Sequence, residues 1–504
     1  HLTNPKIIFI MEFPIWIPFQ SEWWTFFVIL ASIPILIYIS ELTLKLQILS
    51  PESNRRLVHL FVGILITISP FIFSENLLPS ILALIFLVVN YFAYHNEKLM
   101  GIHSQERVTY GTIYFPLGYL IMTIGFWEYS EFFIISLAIL AVADPIAAIV
   151  GENISRDNEF IIWKDKKTIQ GTITFYSISF FLILLLGKLL LQFPYSYLFC
   201  FALFCAIGST IAEITSSKGS DNLSIPIISI LFMIGFFERV APNQSDFFTI
   251  LSSPFLILIL CLALIFYIAF KLKTLSLDGF LGAFLMGVII ILVGSQYFFM
   301  LLAIFFILSS ALSKILKRVS FYRTKGSERD IIQVYANGGI AFLLSIIYFQ
   351  NNDPVYIYLF ASSVAAAMSD TWGTEFGKLS KHKPISITSL KSIDHGISGG
   401  ITRTGTLGSL LGSSIIGFST WFMIPTPTHI IYGIILSGFL SSLFDSILGD
   451  IFQGKYKNQS GEIIEVKEKD SLLIKGYSWI NNDLVNLLNT TFSPLILYIF
   501  ILLY

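Results

Sequence analysis

The stretch AAAMSDTWGTEFGKLS (365–380) closes a hydrophobic run and places two carboxylates, Asp370 and Glu375, where a membrane helix would leave the bilayer. Ionisable groups at that depth are costly and usually mark functional sites. Because five residues separate them, both side chains lie on roughly one side of a helix end, where they could share a divalent cation with an anionic ligand. The stretch therefore predicts a membrane helix with a cation site at its end.

Composition defines the class of protein. Apolar residues make up 55% of the 504, charged residues make up 12%, and the mean hydropathy is +0.78, far from the values of soluble domains. We predict an all-α polytopic membrane protein, embedded in the lipid bilayer, with about 16 transmembrane helices in two bundles. The apolar runs are 24–46, 57–73, 77–94, 111–127, 132–150, 169–192, 196–213, 223–237, 246–270, 278–295, 297–313, 331–349, 355–370, 405–424, 430–448 and 489–503.

Basic residues predict the orientation of these spans. With the N-terminus outside, all but three of the 31 Lys and Arg residues fall in inside segments, the exceptions being Lys6, Lys188 and Arg239. This distribution follows the positive-inside rule, and an error of one span would scramble it. The polar clusters described below all lie on inside segments, so we expect them to face the cytoplasm.

The loop ERVAPNQSD (238–246) separates two sets of motifs. We therefore predict membrane domains at 23–240 and 241–504, preceded by an N-terminal segment, 1–22, in which the residues before Met11 are expected to be partly vector-derived.

Charge and cysteine content exclude several functions. The net charge of -1 suggests no nucleic-acid partner. The three cysteines, Cys200, Cys205 and Cys261, lie in apolar runs without a CxxC pair, which argues against a disulfide framework or a zinc site.

Polar residues collect at the inside ends of the N-terminal spans, in NRRLVHLFVG (54–63), ADPIAAIVGE (143–152), KDKKTIQGT (164–172) and AEITSSKGSDNLSIP (212–226). Carboxylates and an amide suit Mg²⁺, whereas lysines and a glycine near a helix N-terminus suit phosphates. Taken singly, the basic residues could be membrane anchors or a solvated loop. The catalytic candidates are His59, Asp144 and Asp221; the phosphate-binding candidates are Arg56, Lys164, Lys166, Lys167, Gly171 and Asn222; the metal-binding candidates are Glu213 and Asp221.

These four segments, in this order, resemble the motifs of the dolichol kinase and phytol kinase family over about residues 41–237. The block from Glu213 through Asp221, Asn222 and Pro226 carries the most specific part of the resemblance. The family's basic motif has lysine where this chain has Arg56. The resemblance implies a CTP-dependent kinase of a polyisoprenoid alcohol.

The C-terminal half carries a second constellation. In KGSERDIIQVYANGG (325–339), Asp330, Gln333 and Asn337 are spaced to share one helical face, and a polar stripe entering a membrane span should face a protein cavity. The glycine-rich HGISGGITRTGTLG (395–408) could bring backbone amides close to phosphate. The phosphate-binding candidates are Lys325, Arg329, Asn337, Gly399, Gly400, Arg403 and Asn482; the metal-binding candidates are Asp370, Glu375, Asp445 and Asp483, with Asp370 also a catalytic candidate.

Over about residues 276–504, QVYANGGIA, SDTWGTEFG, the glycine-rich loop and NNDLVN resemble the membrane family that contains phytyl-phosphate kinase. Together the two resemblances imply an enzyme that converts a phytol- or geranylgeraniol-type alcohol to its monophosphate and then to its diphosphate, with CTP as donor and Mg²⁺ as cofactor.

Chemistry distinguishes the two predicted steps. An alcohol must lose a proton during phosphoryl transfer, so the first site should contain a base. An isoprenyl phosphate is already anionic, so the second site needs cations instead. Two alternatives use similar residues: a cytidylyltransferase acting on a lipid phosphate, and a membrane transporter. A P-loop motif is absent from the sequence.

Overall fold

The structure, a computed structural model, describes residues 12–95, 109–153, 158–163, 165–244, 246–316 and 328–504. The chain divides into two compact units between Leu258 and Ile259. The predicted domain boundary after residue 240 stays a prediction.

Helices form nearly all of the first unit. They are α1 (Glu22–Lys45), α2 (Pro51–Thr67), α3 (Ser69–Ile72), α4 (Leu77–His95), α5 (Gly111–Phe126), α6 (Ser130–Ala138), α7 (Asp144–Asn153), α8 (Ile169–Leu186), α9 (Tyr195–Ile214), α10 (Asp221–Gly235) and α11 (Phe247–Leu251). A π-helical turn, Ile139–Ala143, joins α6 to α7, and further π-helical turns, Gly187–Leu191 and Phe236–Val240, follow α8 and α10. An antiparallel hairpin of β1 (Glu159–Ile162) and β2 (Asp165–Thr168) precedes α8.

The core of this unit is aromatic and lies around α6, α9 and α10. Phe132, Phe201 and Phe236 are fully buried, and the ring of Phe201 lies 5.8 Å from that of Phe132 and 5.6 Å from that of Phe236. Such close aromatic pairs contribute beyond the burial of their area. The polar ends of these helices are thereby held in fixed positions.

The second unit is also helical. After α12 (Pro254–Lys271), which crosses the division, it contains α13 (Leu277–Val293), α14 (Gln296–Leu316), α15 (Ile331–Asn351), α16 (Val355–Gly377), α17 (Arg403–Met423), α18 (Thr428–Ile451) and α19 (Asn482–Leu503). Short strands lie between them: β3 (Ile385–Ser386) pairs with β4 (Gly400–Ile401), and β5 (Lys455–Lys457) lies between β6 (Ile463–Ile464) and β7 (Leu472–Lys475), all antiparallel.

Helix α16 is the centre of this unit and packs against α14, α15, α17, α18 and α19. Small residues allow the close approach of α17, since a Cβ at Gly412 would lie 2.8 Å from the Met368 carbonyl oxygen. Serine pairs link the same helix to its other neighbours: Ser362 Oγ lies 2.8 Å from Ser437 Oγ and 2.7 Å from Ser493 Oγ. These serines therefore serve helix packing.

A helix occupies every predicted apolar run, and eleven helical segments of the described chain are long and apolar enough to cross a membrane. The predicted all-α membrane class is confirmed. The other helices in these runs, α2, α5, α13, α16 and α17, fall outside those limits, so the number of sixteen spans stays a prediction. Several boundaries differ from the predicted runs. The difference that affects the site is that α16 continues past the predicted end at Asp370 to Gly377, which places Asp370 and Glu375 on the same helix.

Candidate functional site

The first polar cluster is built around an ion pair between Lys167 of β2 and Glu213 in the last turn of α9. Lys167 Nζ lies 2.5 Å from Glu213 Oε1, and the two side chains are only 16% and 13% exposed. Burial alone would lower the pKa of Lys167, but nearby carboxylates raise it above its usual value. They belong to Glu213, Asp221 and Asp144. Residues from three segments that are far apart in sequence therefore share one electrostatic site.

Asp144 and His59 form the edge of this cluster next to α2. Asp144 begins α7 directly after the π-helical turn, a feature that is frequent at functional sites. His59 Nε2 lies 3.2 Å from the Leu140 carbonyl oxygen and 3.9 Å from Asp144 Oδ2. Because a carbonyl oxygen can only accept a hydrogen bond, His59 Nε2 donates a hydrogen bond to it. In a neutral imidazole ring, Nδ1 then has the free lone pair.

The Asp221-Asn222 pair opens α10 and is shaped by the loop before it. Asp221 Oδ1 accepts from the Asn222 backbone N–H at 2.9 Å and from Asn222 Nδ2 at 3.1 Å. Gly219, at φ +87°, lies so close to the start of α5 that a Cβ would lie 2.5 Å from Gly111 N. Pro226 cannot donate the usual helical hydrogen bond to the Asn222 carbonyl. The Asn222 carbonyl therefore has no helical hydrogen-bond donor at position 226.

The other N-terminal candidate residues that the structure describes form ion pairs or hydrogen bonds with residues of the same chain. Arg56 forms an ion pair with Glu152, and the exposed Lys166 pairs with Glu159 at 3.0 Å. The amide of Gly171 donates to the helix-capping Thr168 Oγ1 at 3.1 Å. Their predicted phosphate contacts stay predictions, and Lys164 lies outside the described residues.

The second polar cluster lies at the end of α16. Glu375 pairs with Lys378, with Oε1 and Nζ 2.9 Å apart. Asp445 of α18 interacts electrostatically with Asp370 and with Glu465, and its buried Oδ2 has no hydrogen-bond partner. The structure thus brings Asp370 and Asp445 within electrostatic reach of each other, and their shared metal site stays a prediction.

Glu465 also belongs to this cluster, although it is not among the residues predicted from the sequence. Its carboxylate accepts hydrogen bonds from Ser398 Oγ at 2.8 Å and from Gln453 Nε2 at 3.0 Å. It lies in the charged loop of residues 465–470, and no local pattern distinguishes it from the other acids there.

Arg329 is a second cation, besides Lys378, that interacts with this acidic end of α16. Its guanidinium interacts with the Glu375 carboxylate, which partly offsets the lowering of the Arg329 pKa by burial. The backbone of Arg329 is fixed by the loop before α13: Arg329 N donates to the Thr274 carbonyl at 3.0 Å, and its carbonyl accepts from Ser276 N at 3.1 Å. Gln333 and Asn337 follow on α15, with Asn337 Nδ2 2.9 Å from the Gln333 carbonyl oxygen. Lys325 lies outside the described residues.

The glycine-rich loop packs tightly against α18. A Cβ at Gly399, which has φ +88°, would lie 2.3 Å from Asp450 Cβ, and one at Gly400 would lie 2.8 Å from Pro384 Cβ. Asp450 in turn accepts from Thr388 Oγ1 at 2.5 Å and from Lys475 Nζ at 2.7 Å. These contacts give the two glycines a packing role, while Arg403 is exposed at the first turn of α17.

Helix α19 begins with the Asn-Asn-Asp motif. Asn481 caps the helix by accepting from Leu484 N at 3.0 Å, which leaves Asn482 exposed and Asp483 partly buried. The buried amides lie deeper, at Asn486 and Asn489, and Asn489 Oδ1 has no partner. Asn489 is not among the residues predicted from the sequence, although residues 482, 486 and 489 share one helical face.

Both clusters contain carboxylate or amide oxygens without hydrogen-bond partners, and a hard cation prefers such oxygen ligands. Glu213 Oε2, Asn222 Oδ1 and Asp445 Oδ2 are buried without hydrogen-bond partners, a costly arrangement unless a ligand satisfies them. Among the described residues, no three His, Cys, Asp or Glu side chains converge closely enough to hold a metal by themselves. Mg²⁺ commonly binds one or two carboxylates together with water and substrate phosphates, which fits carboxylate pairs of this kind.

The fold and its two acidic sites are those of an integral membrane protein. The chain belongs to the integral membrane family DUF92, which residues 260–493 match. It is 34% identical over 188 residues to the uncharacterized membrane protein MJ0933 of Methanocaldococcus jannaschii, covering 37% of this chain and 77% of that protein. It is 27% identical over 237 residues to the chloroplastic protein VTE6 of Arabidopsis thaliana, covering 44% and 64% of the two chains.

A third relative is the phytol kinase of Synechocystis sp. The identity is 25% over 197 residues, which covers 38% of this chain and 82% of that enzyme. No solved structure matches the chain.

Proposed function

We propose that the protein is a bifunctional, CTP-dependent kinase of isoprenoid lipids. The first unit would transfer a phosphoryl group from CTP to an alcohol of the phytol or geranylgeraniol type. The second unit would phosphorylate the resulting monophosphate to the diphosphate. The similarity to a phytol kinase supports the class of reaction, and the differing chemistry of the two clusters supports the division of labour.

In the first unit, Asp144 is our candidate for the base that accepts the hydroxyl proton. It lies at the start of a helix, beside His59 and within electrostatic reach of Lys167. His59, which donates through Nε2 to a carbonyl, would orient this edge of the site. Lys167 would attract the donor triphosphate, since it is buried and surrounded by carboxylates that keep it charged.

Glu213 and Asp221 would hold Mg²⁺ in the first unit. The observation that favours them is the free Glu213 Oε2, because Lys167 occupies only the other carboxylate oxygen. When bound, the cation would neutralise charge on the transferred phosphoryl group. Asn222 Oδ1, also buried and free, would accept a hydrogen bond from the nucleotide.

In the second unit, the substrate is already an anion, so the site needs positive charge rather than a base. Among the described residues, Arg329 would supply it, and Arg403 and Lys325 are further candidates from the sequence. Asp370, Glu375 and Asp445 would hold Mg²⁺, with the free Asp445 Oδ2 as the observation in favour. The single observation that carries the second activity is the electrostatic interaction of Arg329 with Glu375, at a distance longer than an ion pair, which associates a cation with the acidic end of α16.

Product analysis tests the proposal. Purified full-length protein in detergent would be incubated with Mg²⁺, phytol or geranylgeraniol, and CTP, ATP, UTP or GTP in separate reactions. We expect isoprenyl mono- and diphosphate with release of CDP when CTP is the donor. Release of pyrophosphate with a CDP-linked lipid would instead identify a cytidylyltransferase, and failure to modify any alcohol or isoprenyl phosphate would overturn the proposal.

A further inference from the structure

An elongated apolar cavity lies within the second unit between α12, α13, α14 and α15. Its empty space amounts to about 790 Å³ when the open solvent at its mouth is counted, and about 80 Å³ of this is accessible to the centre of a water-sized sphere. Aliphatic and aromatic side chains form its walls, among them Leu262, Phe266, Met286, Ile290, Phe299 and Phe306. A cavity of this kind is typical of a site for an apolar small molecule.

Polar groups line one end of this cavity. Arg329, Gln333 and Asn337 are the charged or amide-bearing residues of its lining. The Arg329 Cζ lies 6.0 Å from the centre of the Phe305 ring, which belongs to the apolar wall. In the described part of the chain, no carboxylate lies within ion-pairing distance of this guanidinium. A cation without a direct partner at the mouth of an apolar cavity is complementary to an amphiphilic anion.

The opposite end of the cavity is apolar and distant. Leu275 and Arg329 are paired through a β-bridge at the start of α13, whereas Ile290 and Phe299 flank the turn that joins α13 to α14. Thirteen helical residues separate the start of α13 from Ile290, so at a rise of 1.5 Å per residue the cavity extends about 20 Å from its polar end. This shape fits a single extended hydrocarbon chain.

The cavity also adjoins further apolar space beside α14. A second pocket shares Phe299, Ala303 and Ile307 with the cavity and adds Met300 and Met423. Met300 and Ile307 are exposed apolar residues on a candidate membrane span. A lipid tail could therefore enter from the bilayer without crossing water.

We propose that this cavity binds the hydrocarbon tail of one isoprenyl phosphate, with the phosphate against Arg329 and the tail end beside Ala303. This inference rests on the proposed second phosphorylation and names the site that selects its substrate. Because the phosphate end lies beside Arg329, it would meet the acidic end of α16 through Glu375. Ala303 would limit tail length, because its small side chain leaves the space between Phe299 and Phe306 open.

Photolabelling locates the tail without depending on catalysis. The probe is geranylgeranyl monophosphate with a diazirine on its terminal isoprene unit, bound to the full-length protein in phospholipid nanodiscs. We expect labelled peptides from α14 around Phe299, and we expect unlabelled geranylgeranyl monophosphate, but not added phosphatidylcholine, to prevent the labelling. Labels confined to other helices would overturn the proposal, as would equal competition by phosphatidylcholine, which would identify the occupant as bulk lipid.

Substitution tests the limit on tail length. In Ala303→Phe, labelling by the geranylgeranyl probe should fall roughly tenfold, because the added ring displaces several methylene groups, while a matching geranyl probe should retain its labelling. Ala311→Phe is the matched control, since Ala311 is an exposed residue of the same helix outside the cavity lining, and it should change neither. Equal loss with both probes in a protein that keeps its thermal stability would contradict a role in length selection.

The two proposals fail separately. If the probe labels α14 as expected but the protein phosphorylates no isoprenyl phosphate, the result would support the tail site and contradict the kinase function. Diphosphate formation with labels elsewhere would retain the kinase function and overturn the tail site.

Discussion

Lys167 Nζ lies 2.5 Å from Glu213 Oε1, although one residue belongs to a surface hairpin and the other to the last turn of a buried helix. The pair leaves Glu213 Oε2 buried and free. A buried carboxylate with one oxygen bound by lysine and the other free is an expensive structural element. It is readily explained if the free oxygen binds a cation during the first phosphorylation.

Replacing the lysine tests this relationship. In Lys167→Met, Glu213 loses its partner, so the free energy of unfolding should fall by about 3–5 kcal/mol and monophosphate formation should be lost. The double variant Lys167→Met with Glu213→Met should recover much of the stability, because apolar residues often replace a buried ion pair without loss, but it should stay inactive. Thermal unfolding in detergent and product analysis measure the two effects.

Lys166→Met is the control for that series, since Lys166 is an exposed neighbour on the same strand. It should change stability little. Recovery of full activity in the double variant would show that the pair is purely structural.

The proposed base predicts a selective loss. Asp144→Asn should slow phosphorylation of the alcohol by about 10²–10⁴-fold, the usual contribution of a general base, because asparagine cannot accept the proton. Conversion of supplied isoprenyl monophosphate to the diphosphate should continue at the wild-type rate. Initial rates with each substrate measure the effect, and Glu128→Gln, an exposed acid between α5 and α6, should leave both rates unchanged. Equal loss of both steps would exclude Asp144 as the base of the first step alone.

The position of Arg329 depends on Gly279. A Cβ there would lie 2.2 Å from the Arg329 carbonyl oxygen, so Gly279→Ala should displace this segment and raise the KM for isoprenyl monophosphate more than it lowers kcat. Gly339→Ala is the matched control in α15, since a Cβ at Gly339 would meet nothing within 4 Å. It should stabilise the helix slightly, by up to about 1 kcal/mol. Steady-state kinetics of the second step measure both variants, and an unchanged KM in Gly279→Ala would argue against Arg329 as the phosphate ligand.

The architecture and much of the acidic chemistry are predictable from the sequence. Apolar runs locate the helices because a membrane span needs a minimum apolar length. Asp144, Glu213 and Asp221 stand out because carboxylates at span ends are costly. The structure places all of them around Lys167.

Other parts of the sites depend on tertiary contacts that no local pattern records. Gly399 resembles a phosphate-loop glycine in sequence, yet Asp450 packs directly against it. The cavity also cannot be predicted from the sequence, because an apolar residue such as Phe299 or Phe306 has the same local sequence pattern whether it lines a cavity or faces lipid. Glu465 is held in its site by hydrogen bonds from Ser398 and Gln453, which are distant from it in sequence.

The most direct test of the account compares products of the wild-type protein and Asp370→Asn from geranylgeraniol, CTP and Mg²⁺ by mass spectrometry. The wild type should form the diphosphate, whereas Asp370→Asn should accumulate the monophosphate, because the second unit would lose a cation ligand while the first unit stays intact. An Asp370→Asn protein that forms no monophosphate from the alcohol but still converts added monophosphate to diphosphate would contradict the assignment of the two steps.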